Sequence, residues 1–108
     1  MDKDLLFNVD YIEKDNNMLC KVILKGKITS AGSYLLQHGL EAEIRGGQKH
    51  FILNMRNIEF LSSAGIRVLL DFHRRAMESG GGFFIEQPSE SVANVLGMTA
   101  LDDMLFRK

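Results

Sequence analysis

Residues 59–70 read EFLSSAGIRVLL and place two serines, an alanine and a glycine between an apolar run and an amphipathic one. Ser62 suits the N-cap of a helix, because its hydroxyl can accept a hydrogen bond from a backbone N–H two or three residues further on. Ser63 then falls in the first helical turn, where unpaired N–H groups and the positive end of the helix dipole favour a phosphate. The stretch predicts a strand-to-helix junction with two hydroxyls, whose simplest role is to cap the helix.

The segments that flank the junction predict a buried strand before it and a surface helix after it. Residues 50–55 are almost wholly apolar, as expected of a strand buried between two others. After the junction, apolar residues recur at the i, i+3, i+4 and i+7 spacing of one helical face, and glycines follow at 80–82. The predicted buried stripe comprises Ile66, Leu69, Leu70, His73, Ala76 and Met77, and the predicted solvent side comprises Asp71, Arg74, Arg75 and Glu78.

The N-terminal part of the chain predicts a hairpin and a first helix. Residues 5–13 and 18–25 are apolar or β-branched runs, and the KDNN between them is typical of a tight turn. Further on, a leucine or isoleucine recurs every four residues until two glycines follow, which predicts a helix and its end. This helix would be capped by Thr29 or Ser30 and would bury Leu36, Leu40 and Ile44.

The C-terminal part predicts one more strand and two short helical segments. Residues 83–86 predict the strand, residues 88–96 a helix that opens at a Pro-Ser pair, and residues 99–106 a closing turn. The element order ββαβαβαα therefore predicts one α/β domain over residues 1–108, with a mixed sheet of about four strands covered by helices.

Composition and charge exclude several classes of function. The 13 lysines and arginines nearly balance the 14 aspartates and glutamates, so a net charge of -1 gives no field that would attract nucleic acid or an anionic membrane. Charged residues interrupt the N-terminal segment, which excludes a signal peptide or a membrane span there. Cys20 is the single cysteine, which suits a reducing compartment and a buried apolar role. We expect a soluble cytoplasmic protein that recognises its partners through a local surface.

No arrangement of residues predicts a catalytic or metal centre. His38, His50 and His73 lie on separate predicted elements, and none has a ligand-like neighbour at metal-binding spacing. The GGGFF segment lacks the lysine and hydroxyl of a phosphate-binding loop, and the glycine pattern of a nucleophile elbow is absent around Ser62. An acyl-transfer role for a junction serine would need a base, for which the nearest candidates in sequence are Glu59 and His73. We therefore expect no enzymatic activity, no metal and no cofactor.

Five segments, in their order and spacing, resemble the STAS domain of anti-sigma factor antagonists. The segments are LKGKIT (24–29), FILNMRNIEFL (51–61), SSAGIRVLL (62–70), GGGFFIEQPSESVANVL (80–96) and GMTALDDML (97–105). The resemblance extends from about Leu5 to Phe106. It implies a small mixed sheet of four to five strands with helices mainly on one face.

The resemblance also implies that the protein acts by partner switching. Unmodified antagonists of this family bind an anti-sigma factor that is also a serine kinase, which releases the sigma factor and so regulates transcription. The kinase phosphorylates a serine at the junction and the complex dissociates, after which a metal-dependent serine phosphatase resets the system. By its position two residues before Gly65, Ser63 corresponds to the acceptor, with Ser62 as the alternative.

The family usually has aspartates at two positions where this chain has Ser62 and Asn54. Both differences remove negative charge beside the acceptor, and two interpretations follow. Either Ser63 is still modified with altered kinase recognition, or the protein is a constitutive interaction or scaffold module of a signalling assembly or an anion-transporter tail. The Met1 start and compact ends argue against the transporter fragment. We expect a monomer or weak dimer whose partner-binding residues are Asn54, Ser62, Ser63, Ala64, Gly65, Ile66 and Met98.

Overall fold

The computed structural model describes residues 4–98, which form a four-stranded sheet and three helices. In chain order the elements are β1 (Leu5–Lys14), β2 (Asn17–Ile28), α1 (Ser30–Arg45), β3 (His50–Leu61), α2 (Ser63–Glu78), β4 (Gly82–Glu86) and α3 (Glu90–Met98). The closing turn predicted over residues 99–106 lies outside the described residues.

The sheet has the strand order β1-β2-β3-β4 and is mixed. β1 runs antiparallel to β2, whereas β2, β3 and β4 run parallel to one another. Asp15 and Asn16 connect the first two strands with φ angles of 53° and 67°, the left-handed conformation that a two-residue hairpin turn requires. The architecture confirms the predicted mixed α/β sheet, including its N-terminal hairpin.

One face of the sheet carries the core, and α1 and α2 pack on that face. Residues paired across neighbouring strands share a face, so the buried positions form continuous rows across the sheet. On α2, His73 lies edge-on to Phe83 of β4, with 6.4 Å between ring centroids. The opposite face is partly exposed and carries the ion pair Lys21–Glu86 at 3.1 Å. The buried face comprises Cys20, Val22, Leu24, Phe51, Leu53, Phe83 and Ile85.

β3 is longer than the sequence pattern predicts, because it continues beyond Met55 to Leu61. Two register shifts against the second half of β2 insert extra residues into β3. Each bulge moves the following side chains to the other face, so the buried positions pass from Met55 to Ile58 and then to Leu61. Polar residues interrupt the apolar run after Met55, so that run alone predicts too short a strand, whereas the junction predicted at Ser62 agrees with the observed end at Leu61.

The buried stripe of α2 is rotated relative to the prediction. The residues buried on this helix are Gly65, Leu69, Phe72 and Ala76. The prediction of a buried Met77 is wrong, because its side chain is 50% exposed. Leu69 and Ala76 belong to the predicted stripe, whereas Gly65 was not predicted because a glycine carries no apolar side chain.

An ion pair joins α1 to α2. Arg75 donates hydrogen bonds of 3.0 and 2.8 Å to the two carboxylate oxygens of Glu41, and its guanidinium lies 4.7 Å from the ring centroid of Phe72. The prediction that Arg75 faces solvent is wrong, since the side chain is half-buried between the helices. The hydrogen bonds from Arg75 hold the pKa of Glu41 below its usual value. The pair therefore fixes the two helices side by side with a two-point contact.

Candidate functional site

The junction predicted at Ser62 is held in place by backbone and side-chain hydrogen bonds. Ser62 has extended backbone angles and is the N-cap of α2, and its Oγ accepts a hydrogen bond of 3.1 Å from the Gly65 N–H. Its own N–H donates to the carbonyl oxygen of Ile28 at 2.9 Å. Ile28 ends β2 immediately before α1, so this bond places the starts of α1 and α2 next to each other.

Ser63 differs from Ser62 in its exposure and in its side-chain hydrogen bonding. It is the first residue of α2, and its side chain has no hydrogen-bond partner among residues 4–98. The hydroxyl of Ser62 is half-buried and engaged in the cap. Of the two serines that the sequence singled out, the structure therefore presents the second one to an incoming protein.

Gly65 and Ile66 lie on the inner side of the junction. Gly65 is buried, and a Cβ at this position would lie 2.7 Å from Cγ2 of Ile28 and 2.8 Å from Cδ1 of Leu61. The glycine is thus required for close packing of α2 on the ends of β2 and β3. Ile66 is half-buried against the core, whereas Ala64 is half-buried in a groove described below.

Two further residues predicted to bind a partner belong to β3 and α3. Asn54 is in the middle of β3, where its amide donates to Glu86 at 3.3 Å and its Oδ1 accepts from the Arg56 N–H at 3.2 Å. Met98 is the last residue of α3, and its side chain is not described. The structure brings together Ser62, Ser63, Ala64, Gly65 and Ile66, and it places Asn54 seven strand residues before the junction.

A groove of about 390 Å³ runs between α1 and α2 and begins beside Ala64. It is lined by Ser33, Tyr34 and Gln37 from α1 and by Ala64, Arg67, Val68, Asp71 and Phe72 from α2. Asp71 is engaged with Arg74 at 2.6 Å. Arg67 is exposed and has no ion pair within the described part of the chain. Sequence reasoning missed Arg67, although its position four residues after Ser63 places both on one helical face.

A second polar cluster lies near the far end of α1 and has a structural role. Oε1 of Glu43 accepts hydrogen bonds from the Tyr11 hydroxyl at 2.5 Å and from the Cys20 thiol at 3.8 Å. Burial, followed by the Glu43 carboxylate, raises the pKa of Cys20 to about 12. The hydrogen bond to Glu43 raises the pKa of Tyr11 to about 12. Both groups are protonated at neutral pH, so Cys20 does not supply a reactive thiolate.

The described residues offer the junction serines little catalytic support. Of the two bases considered from the sequence, Glu59 is an exposed residue of β3, and His73 lies ten residues beyond Ser63 on α2, about 15 Å along the helix. Among residues 4–98, no three histidine, cysteine, aspartate or glutamate side chains cluster as metal ligands. Across the same range, no helix has the length and apolar character needed to span a bilayer.

Solved structures of anti-sigma factor antagonists are similar to this chain in fold. The unphosphorylated form of SpoIIAA gives a TM-score of 0.74, with 17% identity, 94% of this chain covered and 86% of that one. The phosphorylated form of the Bacillus cell fate determinant SpoIIAA gives 0.71, with 16% identity and coverage of 94% and 89%. An anti-sigma factor antagonist from Mycobacterium paratuberculosis gives 0.71, with 18% identity and coverage of 95% and 87%. At these identities the likeness shows a shared fold.

The family is shown by the sequence itself. The family model for the STAS domain matches residues 8–108, which is nearly the whole chain. This match confirms the resemblance predicted from the five segments, and the mixed four-stranded sheet is the fold that the resemblance implied. The chain belongs to the STAS domain family.

Proposed function

We propose that this protein is an anti-sigma factor antagonist that binds a serine-kinase anti-sigma factor in the cytoplasm and is released when Ser63 is phosphorylated. The observation that carries the proposal is the state of Ser63: exposed, unbonded and first in α2, within a family whose antagonists share this fold. A metal-dependent serine phosphatase would restore the binding form. In this role the protein is a binding module and catalyses no reaction.

The hydrogen bonds of the junction favour Ser63 over Ser62 as the acceptor. Phosphorylation of Ser62 would turn the hydroxyl oxygen that accepts the Gly65 N–H into an ester oxygen and would crowd a half-buried position. Phosphorylation of Ser63 breaks no side-chain hydrogen bond within residues 4–98. The chain can therefore carry a phosphate on Ser63 without loss of its fold.

A phosphate on Ser63 would nevertheless change the surface strongly. It adds a charge of about -1.5 to -2 and three acceptor oxygens. The positive end of the α2 dipole stabilises this charge in the free protein. A partner packed closely over the junction would have to desolvate the same charge, which opposes binding. The modification thus weakens the complex without unfolding the antagonist.

The test is the affinity of the Ser63→Asp variant for the serine-kinase anti-sigma factor of the host, measured by calorimetry. We expect the dissociation constant to rise at least about tenfold, or about 1.4 kcal/mol. The Ser91→Asp variant is the matched control, because Ser91 is an exposed serine in the first turn of a different helix, α3. Unchanged affinity of Ser63→Asp, with Ser63→Ala also binding normally, would contradict the switch.

A constitutive scaffold is the second candidate, and one observation favours it. Ser62 and Asn54 stand where the family usually has aspartates, so the acidic surroundings of the acceptor are missing. Mass spectrometry of the protein recovered from its native host separates the two functions. Phosphate on Ser63 that disappears in Ser63→Ala supports the switch, and an unmodified chain in every growth phase supports the scaffold.

A further inference from the structure

We infer that Arg67 pairs with the phosphate on Ser63 and holds it at the mouth of the groove between α1 and α2. This inference rests on the proposed function, because it names the group that receives the modification. In this inference the role of Arg67 is to position the phosphate on Ser63.

The spacing of the two residues on α2 supports the pair. Residues four apart on a helix lie one above the other, with about 5–6 Å between their Cβ atoms. Long side chains on a helix lean towards its N-terminus, so the guanidinium of Arg67 leans towards Ser63. Guanidinium groups are well suited to phosphate because they can donate two parallel hydrogen bonds.

Asp71, the other charged residue that lines the groove, is already engaged. Asp71 contacts Arg74 at 2.6 Å and Arg75 at 3.8 Å, and Arg75 also binds Glu41. Arg67 has no such partner within residues 4–98. A new anion on Ser63 would therefore meet an arginine that has no existing ion pair to break.

The opposite wall of the groove offers no competing charge. On α1 the lining residues are Ser33, Tyr34 and Gln37, which are uncharged. The residue before the acceptor is Ser62, so no carboxylate stands there to repel the phosphate or to pair with Arg67. The serine at position 62 and the arginine at position 67 thus both favour a negative charge on Ser63.

The experiment uses the full chain with phosphoserine incorporated at position 63 during translation, and ³¹P NMR gives the phosphate pKa. Phosphoserine has a second pKa of about 6. Because a guanidinium stabilises the dianion, we expect this pKa to be lower in the parent than in Arg67→Gln by about 0.3 unit or more. The helix dipole acts equally on both chains, so the difference isolates Arg67.

Arg74→Gln is the matched control, since Arg74 is an exposed arginine of the same helix and is paired with Asp71 and Glu78. Its phosphate pKa should equal that of the parent. Equal pKa values in the parent and Arg67→Gln, with both chains folded by circular dichroism, would overturn the inference. The pKa measurement needs no kinase. Equal phosphate pKa values would contradict only the role of Arg67, whereas unchanged binding by Ser63→Asp would contradict the proposed switch.

Discussion

The two long helices of this protein begin in nearly the same way, and only one of them carries the proposed site. The N-cap and first three residues are Thr-Ser-Ala-Gly (29–32) in α1 and Ser-Ser-Ala-Gly (62–65) in α2. In both, the N-cap hydroxyl accepts the glycine N–H three residues later, at 3.0 Å in α1 and 3.1 Å in α2. In both, an exposed serine is the first helical residue.

The difference between the two starts appears one turn later. Four residues after its exposed serine, α1 carries Tyr34 and α2 carries Arg67. Capping chemistry therefore does not distinguish a helix start that is only structural from one that can accept and hold a phosphate. Under the proposed function, the side chain at the fourth following position, Arg67 in α2, would make that distinction.

Of the changes at the two helix starts, Gly65→Ala is expected to have the largest effect on stability. The added Cβ would lie within 2.8 Å of two buried side chains, Ile28 and Leu61, which have little room to move. We expect a loss of about 1–3 kcal/mol in the free energy of unfolding, measured by urea denaturation. Gly97→Ala is the control, because within residues 4–98 no heavy atom outside its own stretch of α3 lies within 4 Å of its Cβ position. Equal stabilities of the two variants would mean that α2 does not pack as closely as described.

The caps provide the next test, with an intermediate effect. Thr29→Ala and Ser62→Ala each remove one accepted hydrogen bond of similar length, so each should cost about 1 kcal/mol of unfolding free energy. Ser63→Ala should change stability by less than about 0.5 kcal/mol. The urea midpoints at unchanged slope measure these costs. A Ser63→Ala cost equal to that of Ser62→Ala would show that the Ser63 hydroxyl is engaged in the fold.

The smallest effect concerns the ion pair that holds the two helices together, and it depends on pH. Arg75 lowers the pKa of Glu41 in the folded chain, so the contribution of Glu41 to stability is present above its unfolded pKa and is lost as pH falls through the folded pKa. The stability gap between the parent and Glu41→Gln should therefore shrink between pH 7 and pH 3. Denaturation at the two pH values measures this gap, with Glu78→Gln as the control. A gap that is the same at both values would contradict a native pair between Glu41 and Arg75.

Local sequence signals were sufficient for much of the fold. The hairpin follows from KDNN, because aspartate and asparagine tolerate the positive φ angles that its turn needs. The start of α1 follows from the capping hydroxyls, of which Thr29 is the one used. The junction at Ser62 follows for the same reason. Each of these signals involves residues within four positions of one another.

Features that depend on contacts distant in sequence were not predictable in this way. Arg75 was expected in solvent because its partner Glu41 lies on another helix, 34 residues earlier. Arg67 stands out only when the salt bridges of its neighbours and the uncharged wall of α1 are known. The junction that forms the candidate site could thus be predicted from the sequence, but the charges around it required the packed helices.

The two bulges of β3 have a consequence for how the length of this strand can change. Residues 51, 53 and 55 are buried, then residue 58, then residue 61, so the second bulge restores the alternation that the first one reverses. Deleting one residue between them would turn Leu61 outward and rotate the serines that follow away from the groove. Deleting one residue at each bulge would leave Leu61 and the following serines in their present orientation. Natural or designed relatives that keep this junction should therefore gain or lose residues here in twos.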